Sequence, residues 1–467
     1  MYVSRVRVEN IKSFHGPRVV DLTLTRPDGS HAGWTVLAGR NGSGKTTLLR
    51  ALALALSGPG AARSLMPDFD NWLARGTSVG RAQVSITRDT DYDRFTTGRP
   101  PRAGFVAGLT WRAQRGDASG PRAFFRRGSQ PSLEEIRYTD AQSSTAQRGP
   151  WADNPVGWFC AGYGPFRRMA GGSGNVQRLM MASGPVARQA SLFHEDASLA
   201  EGVTWLIDQH LRALEGRPGA VALKAAALAI LKDGLLPDGY EIGDVDSDGL
   251  WVRRDGHWFP LSEMSDGFRT VAALVVDILK QIQDAFGDLT SEDVENETVI
   301  NNAPGVVIID EIDAHLHVSW QRRIGPWLTT HFPNIQFIVT THSPYICQAA
   351  DPGGLIRLPG VGEDALPEVV SEDLYERVVY GSGDDAVLSE LFGLDTPYSE
   401  QAEHVRAEFM ALESRVYEGD TSYETFERYM RLKDLLTSSP AARVEETSAQ
   451  LRRIVQEIRD GEAGEAG

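Results

Sequence analysis

Apolar residues gather along this chain in two patterns. Residues 306–309 are apolar at every position, and Ile335–Thr340 is nearly so. Strands without alternation are buried on both faces, so both are expected in the middle of a parallel sheet. Trp34–Ala38 and residues 156–161 read as two further short apolar strands. Elsewhere the pattern alternates. Tyr2, Val6 and Val8 fall on one face, with Arg5, Arg7 and Glu9 on the other, and residues 19–22 read as the next strand. Residues 82–87, 105–111 and 123–127 stand between turns rich in Gly, Pro and Arg, which predicts a small antiparallel β-subdomain within 58–150. Helical spacing marks 48–56, then Leu199, Val203, Leu206, Ile207, Leu211 and Leu214, then 223–231, 271–286 and 320–331. Short strands are expected across 241–259, turning at Asp248-Gly249 and Asp255-Gly256. Beyond Leu358 the chain reads as mostly helical, with helices at 402–418, 422–437 and 441–459 and a frayed end at 461–467.

These elements predict an α/β fold with a mixed sheet, a small antiparallel β-subdomain, a short helical insertion and a helical C-terminal region. The expected pieces are 1–188, 189–245, 246–360 and 361–467. With 467 residues the chain can bury a large core. Its two cysteines fit a reducing compartment, and no apolar run reaches the length of a membrane span. The N-terminus alternates and lacks a signal-peptide core, so a cytoplasmic protein away from membranes is expected. Charge is uneven. Residues 1–200 hold 26 Lys and Arg against 15 Asp and Glu, a net of +11; the remainder holds 21 against 48, a net of −27. A basic front half suits a polyanion such as nucleotide or DNA, and equally an ordinary surface.

The chemistry centres on Gly39-Arg40-Asn41-Gly42-Ser43-Gly44-Lys45-Thr46, which fits G-x-x-x-x-G-K-[ST] between a strand and a helix. Glycines let backbone N–H groups curl around phosphate oxygens, and the helix N-terminus favours negative charge there. The expected nucleotide set is Gly39, Asn41, Gly42, Ser43, Gly44, Lys45, Thr46 and Thr47. Lys45 would reach the β- and γ-phosphates, and the Thr46 hydroxyl would hold Mg²⁺. The strand at 306–309 ends in Asp310 and Glu311, at the strand end where ligands of parallel sheets sit. Asp310 is expected beside the phosphate loop as a second Mg²⁺ ligand, and Glu311 as the group that orients or deprotonates the attacking water. His342 follows the second buried strand, where it can sense a γ-phosphate. Ser343-Pro344 suits the start of a helix. Ser265-Asp266-Gly267 stands at a turn-to-helix junction and forms a second anion site. One nucleotide does not need both, so Ser265 and Gly267 are expected to serve the nucleotide of a second protomer. The stretch Gly162-Tyr163-Gly164-Pro165-Phe166-Arg167-Arg168 suits a phosphate-sensing loop or an exposed turn.

In this order the motifs resemble the ABC class of P-loop ATPases, and within it the RecF/SMC/OLD-like, AAA_21-type branch. Asn10-Ile11-Lys12-Ser13-Phe14 looks like that branch's opening strand and turn, residues 261–270 like its short signature, 310–317 like its Walker B and D-loop, and Thr341-His342-Ser343-Pro344 like its switch histidine. The resemblance implies an ABC-type head that hydrolyses ATP with Mg²⁺. It also implies two ATPs sandwiched in a head-to-head dimer, with Lys45, Thr46, Asp310, Glu311 and His342 acting in cis and Ser265 in trans. Val318 departs from the pattern, standing where many relatives have proline. No Q-loop glutamine is evident, and the insertion is too short for long coiled-coil arms. The loop at 162–167, the Ser265-Asp266-Gly267-Phe268-Arg269-Thr270 signature and Leu391-Phe392-Gly393-Leu394-Asp395 are similar to ATPases of bacterial anti-phage systems of the Septu and retron type. That similarity implies a switch controlling a separate nuclease, often of the HNH type. The C-terminal helices carry no catalytic constellation, so they are expected to dock that partner or to serve as a structural cap. The alternative is a RecF-like repair ATPase that binds DNA itself.

Overall fold

The computed structural model describes residues 1–31, 33–101, 104–113, 130–136, 145–167, 174–181, 184–289, 291–294, 298–420 and 422–437. The strand expected at 123–127, the helix expected at 441–459, the end at 461–467, and Arg126, Arg127 and Arg168 lie outside the described residues. The chain forms two compact units, Met1–Leu394 and Asp395–Gly467. The pieces expected at 1–188, 189–245 and 246–360 all fall in the first unit, which also takes in 361–394.

The first unit opens with β1 (Tyr2–Glu9), β2 (Val20–Thr23) and β3 (Trp34–Ala38), which leads through the glycine loop into the helix Lys45–Leu65. Next come β4 (Val79–Thr87), β5 (Phe105–Arg112), β6 (Ser132–Glu135) and β7 (Cys160–Tyr163). Helices Pro185–Phe193, Ala200–Leu214 and Ala220–Lys232 follow. The hairpin strands β8 (Glu241–Val245), β9 (Leu250–Arg254) and β10 (His257–Pro260) turn at the two expected Asp-Gly pairs. The long helix Asp266–Phe286 precedes β11 (Ser291–Val294), β12 (Thr298–Asn301), β13 (Gly305–Ile309) and β14 (Ile335–Thr340). Two short strands, β15 (Leu355–Arg357) and β16 (Glu368–Val369), complete the sheet.

The central sheet has the order β16-β15-β3-β14-β13-β7. It is parallel except for β16, so the fully apolar strands do occupy its middle. The carboxylate strand β13 does not neighbour the phosphate-loop strand β3, because β14 stands between them. Alternate residues face opposite layers, as the pleat requires. Leu37, Val306, Ile308 and Ile338 pack with β1, β4, β5 and the helix Lys45–Leu65. Val36, Val307, Ile309, Phe337 and Val339 pack with Val271, Leu274, Val275 and Ile278 of Asp266–Phe286.

The expected antiparallel strands are present as β4, β5 and β6. They join the N-terminal strands in one sheet, β2-β1-β4-β5-β6, because the apolar faces of β1, β4 and β5 all need the cover of Lys45–Leu65. A register shift between Val3 and Arg5 changes the parity of β1. Val3 is therefore buried with Val6 and Val8, whereas Tyr2 is half-buried and stacks on His31. Gln336 ties the two sheets: its amide accepts from Val3 N at 2.8 Å and donates to Val3 O at 2.9 Å.

Three elements differ from expectation for local reasons. The helix Lys45–Leu65 outruns 48–56 by continuing through a kink at Gly58 (φ 82°), where a Cβ would lie 2.6 Å from the Trp151 ring. The strand expected at 156–161 begins at Cys160, because Gly157 and Trp158 adopt φ of 76° and 48°. The helix expected at 320–331 is two pieces, Val318–Gln321 and Ile324–His331. Downstream, Glu372–Val379 and Gly383–Val387 are short helices.

The second unit contains the helices Glu400–Tyr417 and Tyr423–Thr437, close to the expected bounds. They form a hairpin. Arg428 grips Glu408 with two hydrogen bonds of 2.7 and 2.9 Å, and Phe409 stacks on Tyr429. Met410, Tyr417, Tyr423, Phe426, Met430 and Leu435 are exposed.

Candidate nucleotide site

The phosphate loop takes its shape from close approaches that only glycine permits. Gly39 and Gly44 have φ of 156° and 101°. A Cβ at Gly39 would lie 2.4 Å from the Leu358 carbonyl, and one at Gly44 would lie 2.6 Å from the Phe14 ring. The loop is thus pressed between the opening turn 10–14 and the segment after β15. Arg18 braces it from outside, donating to the carbonyls of Ser43 at 2.9 Å and Pro359 at 2.7 Å. Lys45 is buried and folds over the loop, with Nζ 2.7 Å from Gly39 O and 3.3 Å from Arg40 O. Burial lowers the Lys45 pKa, and the charges of Asp310, Glu311 and Asp313 oppose that shift. Ser43 is buried as well, and its Oγ has no protein partner among the described residues. Asn41 and Gly42 are exposed, and Thr46 and Thr47 sit half-buried in the first helical turn.

The intervening strand β14 joins the carboxylates to this loop. Its last residue, Thr340, donates to Asp310 Oδ1 at 2.6 Å and accepts from Glu311 N at 2.7 Å. Asp310 is 1 % exposed, and its N–H donates to Tyr163 O of β7 at 2.8 Å. Glu311 is half-buried with φ of 46°, a left-handed conformation unusual for a residue with a side chain. Asp313 accepts from Thr341 Oγ1 at 2.5 Å and from His342 N at 3.3 Å. His342 presents its ring to solvent. Partial desolvation and then the Lys45 charge hold its pKa below the ordinary value, while Asp313, Glu311 and Asp310 push it up. Ser343 caps the helix Pro344–Cys347 by accepting from Tyr345 N, as its sequence position suggests.

Lys45, Asp310, Glu311 and His342 therefore meet within electrostatic reach of one another. Ser265 stands apart from this group. It is exposed at the N-terminus of Asp266–Phe286, with no side-chain cap bond. A Cβ at Gly267 would lie 2.7 Å from His315 O, which sets the signature turn against the end of the 310–315 turn.

Two residues that hold the site are not singled out by the motifs. Thr340 is one. Arg167 is the other: instead of facing a phosphate it is 3 % exposed, turned inward onto backbone carbonyls. Only the spacing of Thr340 ahead of Thr341-His342 offered a signal for the first, and the paired arginines after β7 for the second.

Comparison with known families matches two segments. The description "AAA domain" covers residues 5–115, which include the phosphate loop. The description "AAA domain, putative AbiEii toxin, Type IV TA system" covers 224–348, which include Ser265, Asp310, Glu311 and His342. Over both segments the chain is similar to ABC-like P-loop ATPases. Among curated relatives, the retron Ec83 probable ATPase of Escherichia coli is 37 % identical over 124 residues, 24 % of this chain and 21 % of that protein. The Septu protein PtuA of Bacillus mycoides is 23 % identical over 346 residues, 73 % of this chain and 38 % of that protein. The alignments thus span well under half the length of these two relatives. Among solved structures, an Smc head bound to the C-winged helix domain of ScpA is similar with a TM-score of 0.44 and 16 % identity, covering 79 % of this chain and 98 % of that one.

Proposed function

We propose that the chain hydrolyses ATP as a defence-system switch, and that the convergence of Lys45, Asp310, Glu311 and His342 on the phosphate loop carries this reading. The loop fits a triphosphate. Its glycines take the positive φ of a phosphate loop and pack where a Cβ would strike Leu358 and Phe14, and the buried Ser43 hydroxyl has no protein partner among the described residues. Lys45 binds the phosphates and offsets the charge that develops as the γ-phosphoryl leaves. Thr46 and Asp310 would hold Mg²⁺, which supplies further neutralisation of phosphate charge. Glu311 orients the attacking water and takes its proton. His342, kept largely neutral by its surroundings, contacts the γ-phosphate and responds to its loss.

Ser265 and Gly267 serve the nucleotide of a second protomer in a head-to-head homodimer. Ser265 supports this by its exposure at a helix N-terminus beside the 310–315 turn. In this reading the switch controls a separate nuclease of the HNH type, and similarity to retron and Septu proteins supports the defence role. The exposed apolar side chains of the C-terminal hairpin suit it to dock such a partner. No helix among the described residues is long and apolar enough to cross a membrane.

The RecF-like alternative, direct DNA binding, draws less support from the described residues. In the basic front half Arg5 pairs with Asp21, Arg7 and Arg81 with Glu9, and Arg112 with Glu134, while Arg167 is buried. Hydrolysis assays decide the main reading. Wild-type protein releases phosphate from ATP only with Mg²⁺. Lys45→Ala loses nucleotide binding, and Glu311→Gln retains it while turnover falls about 10²–10⁴-fold. Unaltered turnover in both variants would remove the site. DNA retention by the isolated chain that weakens steeply with salt would favour the alternative.

A further inference from the structure

The turn that carries the two carboxylates is held from beneath by one buried guanidinium. β7 pairs in parallel with β13, with Tyr163 opposite Ile309. Gly164 then brings the chain against the helix Pro185–Phe193, where a Cβ would lie 2.4 Å from Ser191 O. This close approach directs Arg167 back under the end of β13. Its Nη1 donates to the carbonyls of Gly164 at 3.4 Å and Asp310 at 3.1 Å. Its Nη2 donates to those of Glu311 at 3.1 Å, Ile312 at 3.2 Å and Ala314 at 3.4 Å. The turn so gripped contains Glu311 and ends at His315, with φ of 46° and 67°, strained conformations that persist only where the surroundings enforce them.

We propose that Arg167 is the positioning residue of the hydrolytic site, fixing the 310–314 turn so that Glu311 meets the attacking water and Asp313 meets the switch segment. The Arg167 guanidinium is turned onto backbone carbonyls. It acts through four carbonyls of the turn, a task that needs the planar fork of a guanidinium and that a lysine point charge cannot perform. Burial lowers the Arg167 pKa to about 10, while Asp313, Asp310 and Glu311 oppose that shift, so the group stays charged at neutral pH. Binding depends on the phosphate loop, which Arg167 does not contact, so the proposal separates binding from turnover.

The proposal rests on the ATPase reading, and the test keeps the two apart. In the full chain, Arg167→Ala, Arg167→Met and Arg167→Lys are measured for binding of a fluorescent ATP analogue and for single-turnover hydrolysis. Affinity stays within about threefold of wild type, and hydrolysis falls at least about 100-fold in all three. Guanidinium ion at millimolar concentration restores Arg167→Ala at least about tenfold, and methylammonium does not. Wild-type turnover in any folded variant overturns the proposal. So does a parallel loss of binding and turnover without guanidinium rescue. If Arg167→Ala and Arg167→Met fail to fold, Arg167→Lys decides, and its own failure to fold would assign Arg167 to the fold instead. A wild-type protein that does not hydrolyse ATP would refute the ATPase reading itself, whatever Arg167 does.

Discussion

Thr340 has one hydroxyl and uses it twice, donating to a buried Asp310 and accepting from the N–H of Glu311. Thr340→Val keeps the shape and removes both bonds, leaving buried polar groups unpaired at about 1–3 kcal/mol. The expected result is a lower melting temperature, with hydrolysis reduced about 10–100-fold and nucleotide affinity less affected. Thr340→Ser restores most of the loss. Equal turnover in Thr340→Val and wild type would show that the hydroxyl does not set the carboxylates. At this scale the motif residues were legible, because a phosphate loop and an acidic strand end impose residue types at fixed spacings. The roles of Thr340 and Arg167 were not: each works on a partner far along the chain, and the paired arginines after β7 pointed to a phosphate rather than to the carbonyls that Arg167 meets.

The long signature helix Asp266–Phe286 meets β7 through a polar pair in the core. Tyr163 donates to Asp277 Oδ2 at 2.9 Å, and both side chains are buried. Burial raises the pKa of Asp277 above the usual carboxylate value. A carboxyl raised on folding contributes its stability below the unfolded pKa, and that stability is lost as pH rises through the folded pKa. Asp277→Asn keeps an acceptor for Tyr163 and cannot ionise. Its melting temperature should equal or exceed that of wild type at pH 7–8, with the difference shrinking toward pH 4. A variant markedly less stable at pH 8 than at pH 4, relative to wild type, would contradict this. Elements announced by a clean period, such as β13, β14 and Asp266–Phe286, were legible from the sequence. Pairing was less so. That β4 joins β1, that β14 separates β3 from β13, and that Gln336 bridges the sheets are non-local choices made by packing.

The whole molecule sets a complete phosphate loop and carboxylate turn in one unit, and presents Ser265 at its surface. In the proposed head-to-head dimer a two-fold axis brings each signature to the other's nucleotide. Glu311→Gln, which binds ATP without consuming it, should elute as a dimer with Mg²⁺ and ATP and as a monomer without nucleotide. The C-terminal hairpin adds a surface rich in exposed Tyr, Met and Phe, and its removal should cost partner binding while sparing hydrolysis by the first unit. Mixing two dead variants tests the composite site most directly. Lys45→Ala ruins a protomer's own phosphate loop, and Ser265→Arg ruins what it lends to its partner. Each alone should be inactive. Mixed in equal amounts, they should regain up to about a quarter of the wild-type rate, since half the dimers pair an intact loop with an intact signature. A mixture as inactive as its parts, or full activity in Ser265→Arg alone, would contradict the account.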